Sequence, residues 1–233
     1  MKFLVVALLI LGSILVPVSA EDKPRPMPTP AKAEQDLNQA LKLQHYKLVG
    51  IVRGKKNTYR VNIVTSDWTM TYTLPGANLK YLVTLGPDSK SVQQLSPGPE
   101  HTLSAEEMKK HILDTDITFE DLALVFTLWP CQGDIGADSL KTLPAWVFTV
   151  NRSGTSNYAK AKLWVSSQFH GLIRADAYDG DGNVVKRLEV NDVMQSADGT
   201  YTLKELMINS MIPGRNLSAS QTFIDVDSAE KLP

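Results

Sequence analysis

The sequence predicts an α+β fold, mainly β, in which short helices lie over one face of a curved antiparallel sheet. Three observations carry this prediction. Apolar and polar residues alternate with a period of two along most of the chain, a helical period interrupts them near the middle, and turn signals cut the alternating part into short runs. A helix embedded among such strands has a sheet to cover.

The interruption is residues 112–130, ILDTDITFEDLALVFTLWP. Thr118 followed three residues later by Asp121 has the shape of a capping box, in which the hydroxyl and the carboxylate satisfy free amides of the first helical turn. Phe119, Leu122, Ala123, Val125 and Phe126 then form an apolar stripe at helical spacing. Upstream, Ser104 and Glu107 repeat the capping signal for a second short helix over 105–112.

Before these helices the alternation runs through Tyr46, Leu48, Gly50 and Val52, then Tyr59, Val61 and Ile63, then Trp68, Met70, Tyr72 and Leu74, then Leu79, Tyr81 and Val83. Each run ends in a turn signal: 54–57, 66–67, 75–78 and 86–88. A meander of four or more antiparallel strands follows from this. After the helices, strands are expected at 145–151, 160–166, 172–178, 184–190, 200–208 and 217–226.

The start of the chain reads as a secretory signal peptide over residues 1–20. Lys2 precedes an apolar run from Phe3 to Val18, and Val18, Ser19 and Ala20 are small enough for cleavage before Glu21. That run is shorter than the ~20 residues a membrane span needs. No cysteine stands near the cleavage point to accept a lipid, and the single Cys131 has no partner for an internal disulfide. A soluble exported protein is the expectation. Residues 21–30, EDKPRPMPTP, carry prolines at alternate positions and read as a stiff extended tether. Over 31–44, Ala33, Leu37, Ala40 and Leu41 are spaced for one face of a helix that opens the domain. A single domain over 31–226 is expected, with 227–233 as a tail.

Composition excludes several functions. The formal net charge of −1 over 233 residues gives no basis for nucleic-acid binding. The basic cluster 53–56 reads as a solvated hairpin tip. DGDGN at 179–183 resembles the start of a calcium loop, but Val184 and Val190 occupy positions where such a loop needs Gly and Glu, so a hairpin turn is expected. The triplets at Asn151 and Asn216 fit a glycosylation acceptor, a pattern frequent by chance. His45, His101, His111 and His170 lack zinc spacing, and no GxSxG, SxxK or Cys/His arrangement supports nucleophilic catalysis. No metal, no cofactor and no catalytic residue is expected.

Apolar surface remains. On 67–74 one face is Trp68, Met70, Tyr72 and Leu74 and the other is Asp67, Thr69, Thr71 and Thr73. Such a strand fits a sandwich core, and it equally fits a concave groove in which Met70, Trp146 and Phe148 accommodate an irregular apolar ligand.

The order TDITFEDLALVFTLWP, PAWVFTVNR, KAKLWVSSQFHGLIRADAYDGDGNVVKRLEV resembles the outer-membrane lipoprotein-sorting, LolA-like, family. Thr115, Asp116, Thr118, Phe119, Glu120, Asp121, Leu122, Trp164, Tyr178, Asp179 and Gly182 stand at positions matching the family's pattern, and the likeness extends over 44–226. The resemblance implies an open antiparallel half-barrel with short helices over its concave face, holding lipid acyl chains. It implies a periplasmic carrier, not an enzyme, that shields the acyl chains of lipoproteins or other lipids for transfer to the outer membrane. Its partners would be acylated cargo and membrane-bound donor and acceptor proteins, with the carrier itself a monomer. Groove-lining candidates are Trp68, Met70, Tyr72, Tyr81, Leu122, Phe126, Trp146 and Phe148. A periplasmic lipid sensor, or a hydrolase with a polar triad in the groove, are the alternatives.

Overall fold

In a computed structural model, residues 27–168, 171–197 and 199–233 are described. The expected signal peptide, residues 21–26 of the tether, and His170 lie outside them.

Thirteen strands form one sheet: β1 Leu43–Arg53, β2 Thr58–Asp67, β3 Thr69–Leu74, β4 Leu79–Thr84, β5 Ser91–Ser96, β6 His101–Thr102, β7 Cys131–Leu140, β8 Leu143–Asn151, β9 Lys160–Ser166, β10 Leu172–Tyr178, β11 Val184–Gln195, β12 Tyr201–Met211 and β13 Ser218–Lys231. Their order is β6-β5-β4-β3-β2-β1-β13-β12-β11-β10-β9-β8-β7. Every neighbouring pair is antiparallel, and β6 and β7 do not pair, so the sheet stays open. Residues 103–130 must travel from the edge at β6 to the opposite edge at β7, and a short segment can do so only by crossing one face. The expected helices over a curved sheet are that crossing.

The crossing residues form α2, Ala105–Met108, α3, Phe119–Leu122, and a 3-10 turn, Val125–Leu128. Both capping boxes are present: Ser104 with Glu107, and Thr118 with Asp121. The helices are shorter than the sequence suggested. α2 ends at its cap, Lys109, and α3 ends just before Leu124, whose φ of 48° is a left-handed conformation that stops an α-helix, so each capped start lasts one turn. A third helix, α1, Pro30–Ala40, begins at Pro30, which belongs to the helix rather than to the tether. It ends before 41–44, and Leu43 already belongs to β1. Ala33, Leu37 and Leu41 are buried in the main core, and Glu34 accepts the backbone N–H of Cys131 at 2.6 Å, tying α1 to the start of β7.

The strands expected at 160–166 and 172–178 are present with those bounds, and 145–151 lies within β8. Two corrections concern the ends of the chain's strands. Residues 227–233 are not a tail, because β13 runs to Lys231 and pairs Ala229 with Leu48 and Lys231 with Tyr46. Trp68 is not on β3: Asp67 turns with φ 47° before it, and the strand begins at Thr69. At the β1–β13 bulge a side chain on Gly50 would lie 2.0 Å from the carbonyl oxygen of Asp225, so the close strand approach there requires glycine. The loop at 179–183 is a hairpin turn, with Asp179 accepting the N–H groups of Asp181 and Asn183 and Gly182 at φ 83°.

The main core lies between the sheet and the crossing segment. On β8, Trp146, Phe148 and Val150 face it, whereas Ala145 and Val147 join Trp164, Ile173, Val190 and Val193 in a second cluster on the opposite side of β8 and β9.

Candidate functional site: an apolar cleft beneath the crossing segment

Alternation places Leu48 of β1, Ile63 of β2, Met70 and Tyr72 of β3, Leu188 of β11, Leu206 and Ile208 of β12 and Ile224 of β13 on one face. Ile117, Leu122 and Leu124 of the crossing segment stand opposite. Between the two layers is a cleft of about 880 Å³, counting the part open to solvent, with Leu43, Gln44, Tyr201, Thr202 and Leu203 also in its wall. A second cleft of about 410 Å³ lies among Val52, Val61, Leu74, Tyr81, Ile112 and Thr115. The two share Ile63, Tyr72, Ile117, Leu122 and Ile224, so they are neighbouring compartments of one groove separated by side chains of the crossing segment and of β3. Walls so apolar bind by removing hydrocarbon from water, at roughly 25 cal/mol per Å².

The segment over the groove is held by buried polar contacts. The fully buried Asp116 carboxylate accepts from the hydroxyls of Ser210 at 2.5 Å, Ser220 at 2.6 Å and Thr222 at 3.3 Å, and pairs with Lys55 at 3.2 Å. Its N–H donates to Thr222 at 2.7 Å, and Lys186 donates to its carbonyl oxygen. Burial pushes the Asp116 carboxyl up, but the two serine hydroxyls and Lys55 outweigh it and hold it below the ordinary carboxylate value. Asp121 accepts from Tyr158 at 2.8 Å and lies 3.5 Å from Lys186. Next to it, Glu120 accepts the N–H of Asn157, and burial raises its carboxyl above the ordinary value.

The basic cluster at 53–56 belongs to this anchorage and is not merely a solvated tip. Asp114 accepts the N–H groups of Lys56 and Asn57 at 2.8 and 3.0 Å and the Tyr59 hydroxyl at 2.6 Å. Gly54 approaches so closely that an added Cβ would sit 2.8 Å from the Asp114 carboxylate. Phe119 adds an edge-on contact with Tyr81, ring centres 5.0 Å apart.

Of the eight groove candidates, the structure brings Met70, Tyr72 and Leu122 into the first cleft and Tyr72, Tyr81 and Leu122 into the second. Trp68, Phe126, Trp146 and Phe148 line neither. Phe126 is completely buried within the 3-10 turn, which packs against α1 and β8, Trp146 and Phe148 are buried in the main core from β8, and Trp68 sits in the β2–β3 turn against that core. Sequence reading missed Leu48, Ile63, Ile117, Leu124, Leu188, Leu206, Ile208 and Ile224 as wall residues. For the last four the signal lay in β11, β12 and β13, but strand order, which puts β13 beside β1, was not available from it. Among the described residues no group of three or more His, Cys, Asp or Glu side chains could hold a metal ion, and no helix is long and apolar enough to cross a membrane.

A family model described as an uncharacterized protein matches residues 98–230. No curated protein matches the sequence. Among solved structures, a DUF1329 family protein from Desulfovibrio piger is similar with a TM-score of 0.66 at 17% identity, over 88% of this chain and 94% of that one. An outer-membrane lipoprotein-sorting protein domain, so described, from Vibrio parahaemolyticus gives 0.66 at 10% identity, over 86% and 89%. A LolA superfamily protein from Nitrosomonas europaea gives 0.59 at 13% identity, over 88% and 96%. At these identities the likeness shows the fold: an open, mostly antiparallel LolA-like sheet with a few short helices.

Proposed function

The chain belongs to the family of uncharacterized proteins whose model spans residues 98–230, and from its groove we propose that it is a periplasmic carrier that shields the acyl chains of a lipid or lipoprotein. The observation that carries this reading is the apolar cleft between Ile117, Leu122 and Leu124 on one side and Met70, Leu206 and Ile224 on the other. Each methylene withdrawn from water is worth ~0.8 kcal/mol, so a chain of about sixteen carbons carries on the order of 12 kcal/mol. Cargo held by that much free energy does not leave through water. It passes to an acceptor that offers a comparable apolar surface, which is why a membrane-bound donor and acceptor belong to the proposal. A cleft roofed by a separate crossing segment covers such a chain without any bond being made or broken.

Binding rather than hydrolysis is supported by how the polar wall groups are used. The Thr65 hydroxyl donates to the carbonyl of Gln44 at 2.5 Å, and Asp121 serves Tyr158, the N–H of Thr118 and Lys186. The name carried by the Vibrio parahaemolyticus domain agrees with a lipoprotein as cargo.

The test is titration of the delipidated protein with a fluorescent hexadecanoyl probe. About one saturable site per molecule is expected. Leu206→Asp puts a carboxylate into the cleft wall and should weaken binding by an order of magnitude or more, while Thr71→Asp, on the opposite face of β3, leaves it unchanged. Equal behaviour of the two variants, with both folded, refutes the groove.

A further inference from the structure

Tyr72 is the one residue of β3 that reaches both compartments. Its hydroxyl has a single hydrogen-bond partner among the described residues, the thioether of Met70 at 3.4 Å. Sulfur of this kind is a weak acceptor. Burial raises the phenol above its ordinary pKa, so it stays protonated and remains a donor at any physiological pH. An under-satisfied donor in an apolar cleft is unfavourable until an oxygen reaches it. Apolar walls extend from it in two directions: toward Met70, Leu206 and Ile208 in the larger compartment, and toward Val61 and Leu74 in the smaller.

Resting on the carrier reading, we propose that the groove selects an ester lipid whose carbonyl oxygen accepts from the Tyr72 hydroxyl, with one hydrocarbon arm in each compartment. The remaining wall chemistry narrows the class. An ionised carboxylate at that depth would lose its hydration among apolar side chains, and Tyr72 offers it only a neutral hydroxyl, so an uncharged carbonyl fits and a fatty-acid anion does not. The arms on either side of the carbonyl need no polar group of their own. Glyceryl esters and other internal esters meet this description.

Two probes of equal carbon number separate the hydroxyl from the apolar wall: octyl octanoate, with its ester in the middle, and hexadecane, with none. Each is measured by displacement of diphenylhexatriene from the delipidated protein, for wild type and for Tyr72→Phe, which keeps the ring. The expected result is that Tyr72→Phe weakens octyl octanoate by up to about tenfold, the scale of one net hydrogen bond, and leaves hexadecane unchanged. Loss of both probes to the same extent, or of neither, overturns the ester handle while the carrier reading stands. If wild type binds neither probe nor diphenylhexatriene, the groove itself is refuted and the inference falls with it. Thermal unfolding of Tyr72→Phe in the absence of ligand guards against a folding defect: a midpoint near wild type is expected, and hexadecane binding reports whether the cleft is intact.

Discussion

Asp116 shows how one buried carboxylate fixes a segment that has little regular structure of its own. Three hydroxyls from β12 and β13 and the Lys55 ammonium converge on it. Replacing it with Asn leaves those donors poorly matched and should cost about 1–3 kcal/mol at neutral pH. The folded state holds this carboxyl below its ordinary value of 3.8, so its stabilisation is complete above that pH and is lost as pH falls through the lower folded value. The stability difference between wild type and Asp116→Asn, measured by urea unfolding, should therefore be constant from about pH 5 to 7 and shrink toward zero on acidification. A difference that persists at pH 2 would show that the carboxylate's charge is not what matters. The sequence named Asp116 only through a family pattern. Its partners Ser210, Ser220 and Thr222 lie about a hundred residues away, and a hydroxyl on a strand carries no sign of what it will face.

At the scale of elements, the crossing segment does two jobs with different residues. Ile117, Leu122 and Leu124 border the cleft, while Phe126, one turn later, is fully buried and touches neither compartment. Phe126→Ala should therefore cost the full ~3–5 kcal/mol of a large core deletion, with affinity for an acyl probe unchanged in the protein that remains folded. A smaller cost together with weakened binding would move Phe126 into the groove. Where the segment starts was legible, because Thr118 and Asp121, like Ser104 and Glu107, are capping residues whose chemistry is local. Where it stops was not. Leu124 takes a left-handed conformation that no leucine announces, and it turns the chain from α3 into the 3-10 turn. The strands fared similarly. β9 and β10 alternate and were visible, whereas β5, SVQQLS, and β7, CQGDIGADSL, are polar and near or at the sheet edges, where no buried face writes a pattern.

For the whole molecule, chain order is decisive. Residues 43–102 build one half of the sheet outward from β1 to the edge at β6, residues 131–231 build the other half from the edge at β7 inward to β13, and β1 joins β13 at the centre. The groove sits across that seam, walled by β2 and β3 from one half and β11, β12 and β13 from the other. Half of the candidate wall was legible in the sequence because β3 alternates so cleanly. The other half depended on a pairing between residues some 180 positions apart that periodicity does not encode. A carrier of this design holds an acyl chain between these two halves and beneath the crossing segment. Photolysis of a hexadecyl diazirine bound to the delipidated protein, followed by peptide mapping, tests it most directly. The prediction is one saturable adduct per molecule, distributed over Met70, Ile117, Leu122 and Leu206, so that sheet and crossing segment are both labelled. Adducts confined to the outer face of β3 at Thr69, Thr71 and Thr73, or to the exposed Met27 and Leu217, without saturation, would contradict it.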